Sequence, residues 1–322
     1  MRLHDPKITV KNADVLDYPC NVLVLKYAQW WHGADLAVGR ELGLGKGWDS
    51  GGEFLAPGEF RLLPGDKKIG ADQVLFVGLA PLKKLTYSLL REFGKSAILH
   101  LNKVAPQSRH LAMTIHGVNI GMDEREVFLA QLAGILDVLS DPQIMTGLEE
   151  ISFVEKNAAR AKRLAEILAE NYKPRISPQL NELSRPISDA GCSQEKPHIF
   201  VAMPFLEEME DTFIFGIHGP VQEAGFLCER VDIAVFTGDI VERIKSRIET
   251  AQLVIADLTG ANANVYLEVG YAWGCKVNTL LICKNVDELK FDVKGQRCLI
   301  YSSINDLKKK LSSELKFHAR TR

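Results

Sequence analysis

Hydrophobic and polar positions alternate at two periods along the last third of this chain. Residues 198–203 (HIFVAM) form a short apolar run, as expected of a buried strand. A helical stretch is expected over 208–225, broken near His218-Gly219-Pro220, where a proline kinks or restarts a helix. Residues 227–233 read as a second strand. Ile240, Ile244 and Ile248 recur every four residues and mark one face of a helix over 239–250. Strands follow at 253–256, 279–283 and 298–301, with helices at 265–276 and 303–316. Such alternation predicts a parallel sheet covered on both faces, with ligands bound outside the carboxyl ends of its strands.

The first half is α/β with a less regular rhythm. Strands are expected at 21–26, 60–63, 73–78, 110–115 and 150–154. Helices are expected at 35–42, 85–103, 124–139 and 158–171. Three strands precede the first long helix, which predicts a mixed sheet. Between the halves, 173–196 reads as a linker: Pro174, Pro178 and Pro186, with Pro197 beyond, sit among Ser, Asn, Asp and Gly. Ile176, Leu180, Leu183 and Ile187 are available there to pack against a domain. The expected domains are 1–172 and 197–322.

Composition narrows the class. The 322 residues carry 46% apolar and 25% charged side chains and a net charge of -2, an ordinary globular balance with no overall basic footprint for nucleic acid. No apolar run approaches the roughly 18 residues that cross a bilayer. The first residues lack the apolar core of a signal peptide, so a cytoplasmic protein is expected. The six cysteines are scattered without a C-x-x-C pair, and the eight histidines include no HExxH. No metal site is expected.

The segment 253–274 carries the candidate chemistry. A strand ends in Asp257, a polar loop follows with Thr259, Gly260, Asn262 and Asn264, and a helix opens with Asn264 as expected N-cap. Glu268 lies about one turn inside. A carboxylate near an anomeric carbon stabilises an oxocarbenium-like transition state or attacks it, and a polar loop holds ribose hydroxyls. Gly270 costs a mid-helix position about 1 kcal/mol relative to Ala, which suggests close approach of a ligand or of backbone. Structural readings stand beside these. Asp257 serves as an acceptor for loop amides, Glu268 as a carboxylate favoured by the helix dipole, and Gly270 as a packing residue.

In combination these residues resemble the nucleoside 2-deoxyribosyltransferase-like group, relatives of TIR domains. The resemblance runs through Met203-Pro204-Phe205, Gly225-Phe226, Arg230 with Asp232, Asp239, and Ala256-Asp257-Leu258-Thr259-Gly260. It continues through Asn262-Ala-Asn264-Val-Tyr-Leu-Glu268-Val-Gly270-Tyr271-Ala272, so it covers most of 197–301. It implies a flavodoxin-like parallel-sheet domain with Glu268 as nucleophile. It also implies an assisting aspartate, whose nearest counterpart is Asp239. Met203, Pro204, Phe205, Asp257, Thr259, Gly260, Asn262 and Asn264 become the substrate-binding set. The usual Asn-Pro-Asn is Asn-Ala-Asn here, and the spacing from Asp239 to Glu268 differs slightly from that of the dedicated transferases. TIR relatives use an equivalent glutamate to hydrolyse NAD.

Lys11-Asn-Ala-Asp14 through Leu79 resembles the macro-like N-terminal domain of leucyl aminopeptidases. The resemblance rests on Asp14, the strand 21–26, Gly58-Glu59-Phe60, Leu63-Pro64-Gly65 and Val74-Leu-Phe-Val-Gly78. It implies a macro-like mixed-sheet domain that binds an ADP-ribose-like nucleotide, and none of the metal-binding aminopeptidase half is present. Candidate loops are 43–52, with five glycines, and Gly117-Val-Asn119-Ile-Gly121 ahead of a helix. Trp30 and Trp31 are candidates for stacking on a base or for core packing.

Together the two resemblances imply an NAD-hydrolysing effector governed by its N-terminal domain, as in antiviral defence. NAD would be substrate rather than cofactor. An ADP-ribose-like or second-messenger activator and a homo-oligomer are expected, with neither membrane nor direct nucleic-acid binding. The alternatives are a nucleoside 2-deoxyribosyltransferase or deoxynucleotide N-hydrolase, and a non-catalytic nucleotide-binding sensor.

Overall fold

The computed structural model describes residues 6–29, 31–44, 55–141, 143–144, 146–173, 185–192, 196–231, 238–290 and 293–320. The chain forms two compact units. The first comprises 1–117 and 124–195, the second 118–123 and 196–322.

The first unit holds a six-stranded sheet of order β1-β6-β5-β2-β4-β3. Its strands are β1 (Lys7–Asn12), β2 (Cys20–Tyr27), β3 (Phe60–Pro64), β4 (Ala71–Gly78), β5 (His110–Met113) and β6 (Glu150–Glu155). β3 runs antiparallel to β4 and every other pairing is parallel, so the sheet is mixed as the sequence predicts. β1 is the strand that the pattern missed. It is an edge strand with mostly half-buried residues, paired with β6 from Lys7↔Glu150 to Asn12↔Glu155, and a half-buried edge carries no strong apolar run. The helices are α1 (Ala34–Glu41), α2 (Tyr87–Val104), α3 (Glu124–Leu139) and α4 (Ala158–Asn171). α2 and α3 pack backbone to backbone: a Cβ on Gly94 would lie 2.2 Å from the Gln131 carbonyl oxygen, and one on Gly134 1.9 Å from that of Arg91.

The described part of the expected linker belongs to this unit. It forms α5 (Arg185–Asp189), in which Ile187 is fully buried, as is Ala190 just beyond. Arg91 Nη1 donates to the carbonyls of Ser188 and Ala190 at 2.9 and 2.8 Å. Ile176, Leu180 and Leu183 lie outside the described residues.

The second unit is a five-stranded sheet of order β11-β10-β9-β7-β8, parallel at every pairing. Its strands are β7 (His198–Ala202), β8 (Leu227–Glu229), β9 (Leu253–Asp257), β10 (Thr279–Cys283) and β11 (Cys298–Ile300). Counted within the unit this is the flavodoxin-like order 2-1-3-4-5. Right-handed crossovers then assign the helices to faces. On one face Ile199, Val201, Leu253, Ile255, Leu280 and Ile282 meet Phe213, Ile217, Val221, Leu307 and Leu311. Those partners come from the helical run 207–223 and from α10 (Ile304–Arg320). On the other face α9 (Ala263–Gly274) lies against β7, β9, β10 and α8 (Gly238–Glu249).

The proline at 220 does not break the helical run. α6 (Glu207–Asp211) passes through a widened π-type stretch, Thr212–His218, into α7 (Gly219–Glu223), with Pro220 in the first turn of α7. Proline lacks the N–H for an i→i−4 bond, and the wider turn lets the chain continue.

Candidate functional site

β7 and β9 are neighbours whose connections leave in opposite directions, to β8 and to β10. The crevice outside their carboxyl ends is the topological switch point of the sheet. Three short stretches of chain supply its side chains.

The first follows β9. Along this strand Leu253, Ile255 and Asp257 share the face that carries Tyr301 and α10. Asp257 is fully buried; its Oδ2 accepts from Tyr301 Oη at 2.7 Å and its Oδ1 from the Thr259 amide at 3.0 Å. Burial raises its pKa, while Thr259, Tyr301 and Lys284 oppose the rise. Gly260 has φ 75°, where a side chain would be strained, and Ala261 follows at φ 49°. The loop is tied to the segment after β10: Gly260 N donates to Glu288 Oε2 at 2.7 Å, and Thr259 Oγ1 accepts from Lys284 N at 3.1 Å.

The second is α9. Its N-cap is Asn262, not Asn264: Asn262 is extended, at φ −63° and ψ 124°, and its Oδ1 accepts from the Asn264 amide at 2.9 Å. Asn264 is already helical and exposed. Val265, Glu268, Val269 and Ala272 are the buried residues of the helix, a stripe at i, i+3, i+4 and i+7 facing the sheet. Glu268 thus occupies an apolar row, 7% exposed. It sits ~7.5 Å along the axis from the start of the helix. Its Cβ tilts toward the helix N-terminus, so the carboxylate reaches back toward the carboxyl edge. Among the described residues no hydrogen bond or ion pair reaches that carboxylate, and burial alone pushes its pKa up to about 8. A Cβ on Gly270 would meet no described atom within 4 Å, so no close backbone approach within the unit accounts for that glycine.

The third lies at the ends of β7 and β8. Met203 and Pro204 are buried and Phe205 is 41% exposed. Arg230, just past β8, was not in the predicted set of site residues. Its guanidinium carbon lies 4.2 Å from the Phe205 ring centroid and 3.8 Å from that of Phe213. Its Nη2 donates to Glu210 Oε2 at 2.6 Å and its Nη1 to Met203 Sδ at 3.7 Å. The sandwich holds Phe205 at the crevice as a flat apolar surface backed by a cation. An arginine beside aromatics separated by 25 and 17 residues leaves no local sequence signal. Asp239 is the second residue of α8, and its side chain lies outside the described residues, as does Asp232.

The candidate loops of the first half are dispersed. Residues 45–54 lie outside the described set. In the loop 117–121, Gly117 belongs to the first unit, while Asn119 and Gly121 belong to the second. Gly121 has φ 89°, and a Cβ there would lie 2.1 Å from Val231 Cγ2, so packing requires this glycine. Asn119 is exposed. Trp31 packs in the core, its ring 5.1 Å from Tyr27 and 5.4 Å from Phe76; Trp30 lies outside the described residues.

No protein-family model matches the chain. No curated protein matches it. Among solved structures it is similar to a Trypanosoma brucei macrodomain in complex with ADP, at 19% identity over 50% of this chain and 69% of that one, with a TM-score of 0.41. It is similar to an Oceanobacillus iheyensis macrodomain mutant with ADPR, at 16% identity over 51% and 91%, with a TM-score of 0.39. A tomato leucine aminopeptidase mutant aligns at 9% identity over 98% and 89%, with a TM-score of 0.34. These are distant likenesses. No helix among the described residues is long and apolar enough to cross a membrane.

Proposed function

We propose that the second unit cleaves the N-glycosidic bond of a nucleotide, with Glu268 as the catalytic carboxylate and NAD as the substrate its electrostatics fit best. The observation that carries this reading is a buried carboxylate with no partner among the described residues, on the sheet-facing stripe of α9 beside the switch point. An unpaired buried carboxylate is costly unless a ligand completes it. A pyridinium N-glycoside places a positive charge next to the anomeric carbon, and that charge favours the ionised form of Glu268 on binding. The C–N bond then breaks with its electron pair passing to the leaving nitrogen, which needs no proton. The carboxylate stabilises the oxocarbenium-like centre, and water completes hydrolysis with loss of a proton. Phe205, backed by Arg230, supplies a stacking surface for a planar base, and the loop 259–264 supplies polar groups for ribose. In this reading residues 1–172 restrain or trigger the activity in response to a nucleotide-type signal.

The raised pKa favours one alternative. A carboxyl group that is protonated at neutral pH suits donation to the leaving base of a neutral nucleoside, as in a deoxyribosyltransferase or deoxynucleotide hydrolase. The pH dependence of kcat/KM separates the two, because it reports the free enzyme. With NAD, kcat/KM should rise toward a plateau above about pH 8; with a deoxynucleoside using Glu268 as acid, it should fall there. Base release from NAD, ATP and deoxynucleosides would be followed by chromatography across that range, with and without ADP-ribose derivatives and cyclic oligonucleotides. Failure of all three substrates to release base under every condition would leave the non-catalytic sensor.

A further inference from the structure

Val118–Asp123 lies in the chain between β5 and α3, yet it is counted with the second unit. Ile120, Met122 and Asp123 are all buried. A carboxylate is seldom buried unless it is paired, and the partners of Asp123 come from the second unit. Its Oδ2 accepts from the Cys228 amide of β8 at 2.9 Å, and both its oxygens accept from Gln222 Nε2 at 2.9 Å. His218 Nε2 lies 3.4 Å from the same Oδ2. Three groups from two stretches of chain, 218–222 and β8, thus converge on one carboxylate. Three residues earlier, the Ile120 carbonyl accepts from Arg243 Nε of α8 at 3.1 Å.

Two routes lead from this segment to Arg230. One runs through the backbone. Cys228, whose amide Asp123 holds, stands two residues before Arg230 at the end of β8. Gly121 packs against the next two residues: a Cβ there would lie 3.1 Å from the Arg230 carbonyl oxygen and 2.1 Å from Val231 Cγ2. The other runs through side chains. The His218 ring lies 5.7 Å from that of Phe213, centroid to centroid. The Phe213 ring in turn carries the Arg230 guanidinium carbon 3.8 Å from its centroid, and the same carbon lies 4.2 Å from the centroid of Phe205. The carbonyl and the guanidinium of Arg230 are therefore both reached from the segment 118–123.

The other contacts of Arg230 hold it less firmly. Its ion-pair partner Glu210 has a side chain 45% exposed, and pairs open to water contribute little. Met203 Sδ, at 3.7 Å, is a weak acceptor. Phe205 is itself 41% exposed. Asp123 is 1% exposed, and its hydrogen bonds are charge-assisted and shielded from water, which makes it the firm end of the network.

We propose that Asp123 is a positioning residue for the candidate site: through Cys228, His218 and Phe213 it holds Arg230, and with Arg230 the exposed ring of Phe205. Its effect on catalysis rests on the reading of Phe205 as the surface on which a base stacks. The test follows the Arg230 Nε–H resonance in proton–nitrogen correlation spectra of the full chain without ligand, identified by its loss in Arg230→Lys. Stacked on aromatic rings, that resonance is expected upfield of an exposed arginine. Asp123→Ala should move it toward the exposed position in molecules that thermal melts show to be folded. Asp123→Asn keeps one acceptor oxygen and should move it less. A role confined to stability lowers the melting temperature and leaves the resonance in place. In parallel, Asp123→Ala should raise KM for NAD about 10-fold and leave kcat within a few-fold, the pattern of binding lost equally in ground and transition states. If no substrate releases base, the glycosidase reading fails and the resonance still decides the positioning. A displaced resonance with unchanged KM supports the positioning and removes Phe205 from base binding. The proposal is overturned by a wild-type resonance in folded Asp123→Ala or, where that variant does not fold, in folded Asp123→Asn.

Discussion

Glu268 links stability to pH in a direction opposite to most carboxylates. Unfolded, the group titrates near 4.5; folded, near 8. Between those values the native state holds the proton more tightly. Its contribution is therefore fully favourable below about pH 4.5 and is lost as pH rises through 8. Each pH unit of separation is worth about 1.4 kcal/mol, so several kcal/mol are lost by pH 8.5. Glu268→Gln keeps the shape and removes the charge. It should melt close to wild type at pH 5 and clearly above it at pH 8.5, while base release falls about 100-fold or more. Parallel melting curves at the two pH values would show that the carboxylate is not desolvated. Asp257 differs in its partners, since both its oxygens are engaged. Tyr301→Phe removes one donor to a buried carboxylate and should cost about 1–3 kcal/mol of stability in denaturant titration. It should leave KM for the released base's parent nucleotide within a few-fold, because Asp257 faces the α10 side of the sheet. A large rise in KM would place Asp257 against the substrate.

At the level of elements, α9 explains both what the pattern shows and what it hides. Apolar spacing at Val265, Val269 and Ala272 makes the helix legible, and Glu268 falls on the same stripe. The cap does not read off the sequence, because Asn262 and Asn264 are chemically equivalent candidates two residues apart. The turn through Gly260 and Ala261 decides between them: it delivers Asn262 extended and Asn264 already helical. Asn262→Ala should therefore cost about 1 kcal/mol, and Asn264→Ala only a few tenths. Chemical denaturation of the two variants measures this, and equal losses would contradict the cap assignment.

At the scale of the whole molecule, the second unit is not one continuous segment. It includes Val118–Asp123, which leave the chain between β5 and α3. Asp123 is 1% exposed; its carboxylate accepts from Gln222 Nε2 at 2.9 Å and from the Cys228 amide at 2.9 Å, and the Ile120 carbonyl accepts from Arg243 Nε at 3.1 Å. A fragment beginning at 196 lacks these partners and leaves a buried amide and Arg243 with fewer acceptors. We expect it to unfold at lower denaturant than the same unit in the full chain, by about 1–3 kcal/mol. Asp123→Ala in the full chain should lose stability in the same range. Hydrogen exchange of β8 in fragment and full chain compares them directly, and equal protection would show that the segment contributes nothing.

The sequence by itself determined the two α/β patterns, the parallel sheet of the second unit, the mixed sheet of the first, and a glutamate in the helix that follows β9. These follow from local periodicity, since buried parallel strands must be apolar throughout and surface helices must repeat near 3.6 residues. Tertiary structure alone decided which groups are paired. It buried Glu268 without a partner among the described residues and turned Asp257 onto Tyr301, 44 residues away. It brought Arg230 between Phe205 and Phe213 and assigned Asn119 and Gly121 to the second unit. Periodicity records which face of an element is buried. It carries no record of what meets that face, because partners far apart in sequence are chosen by strand order and register.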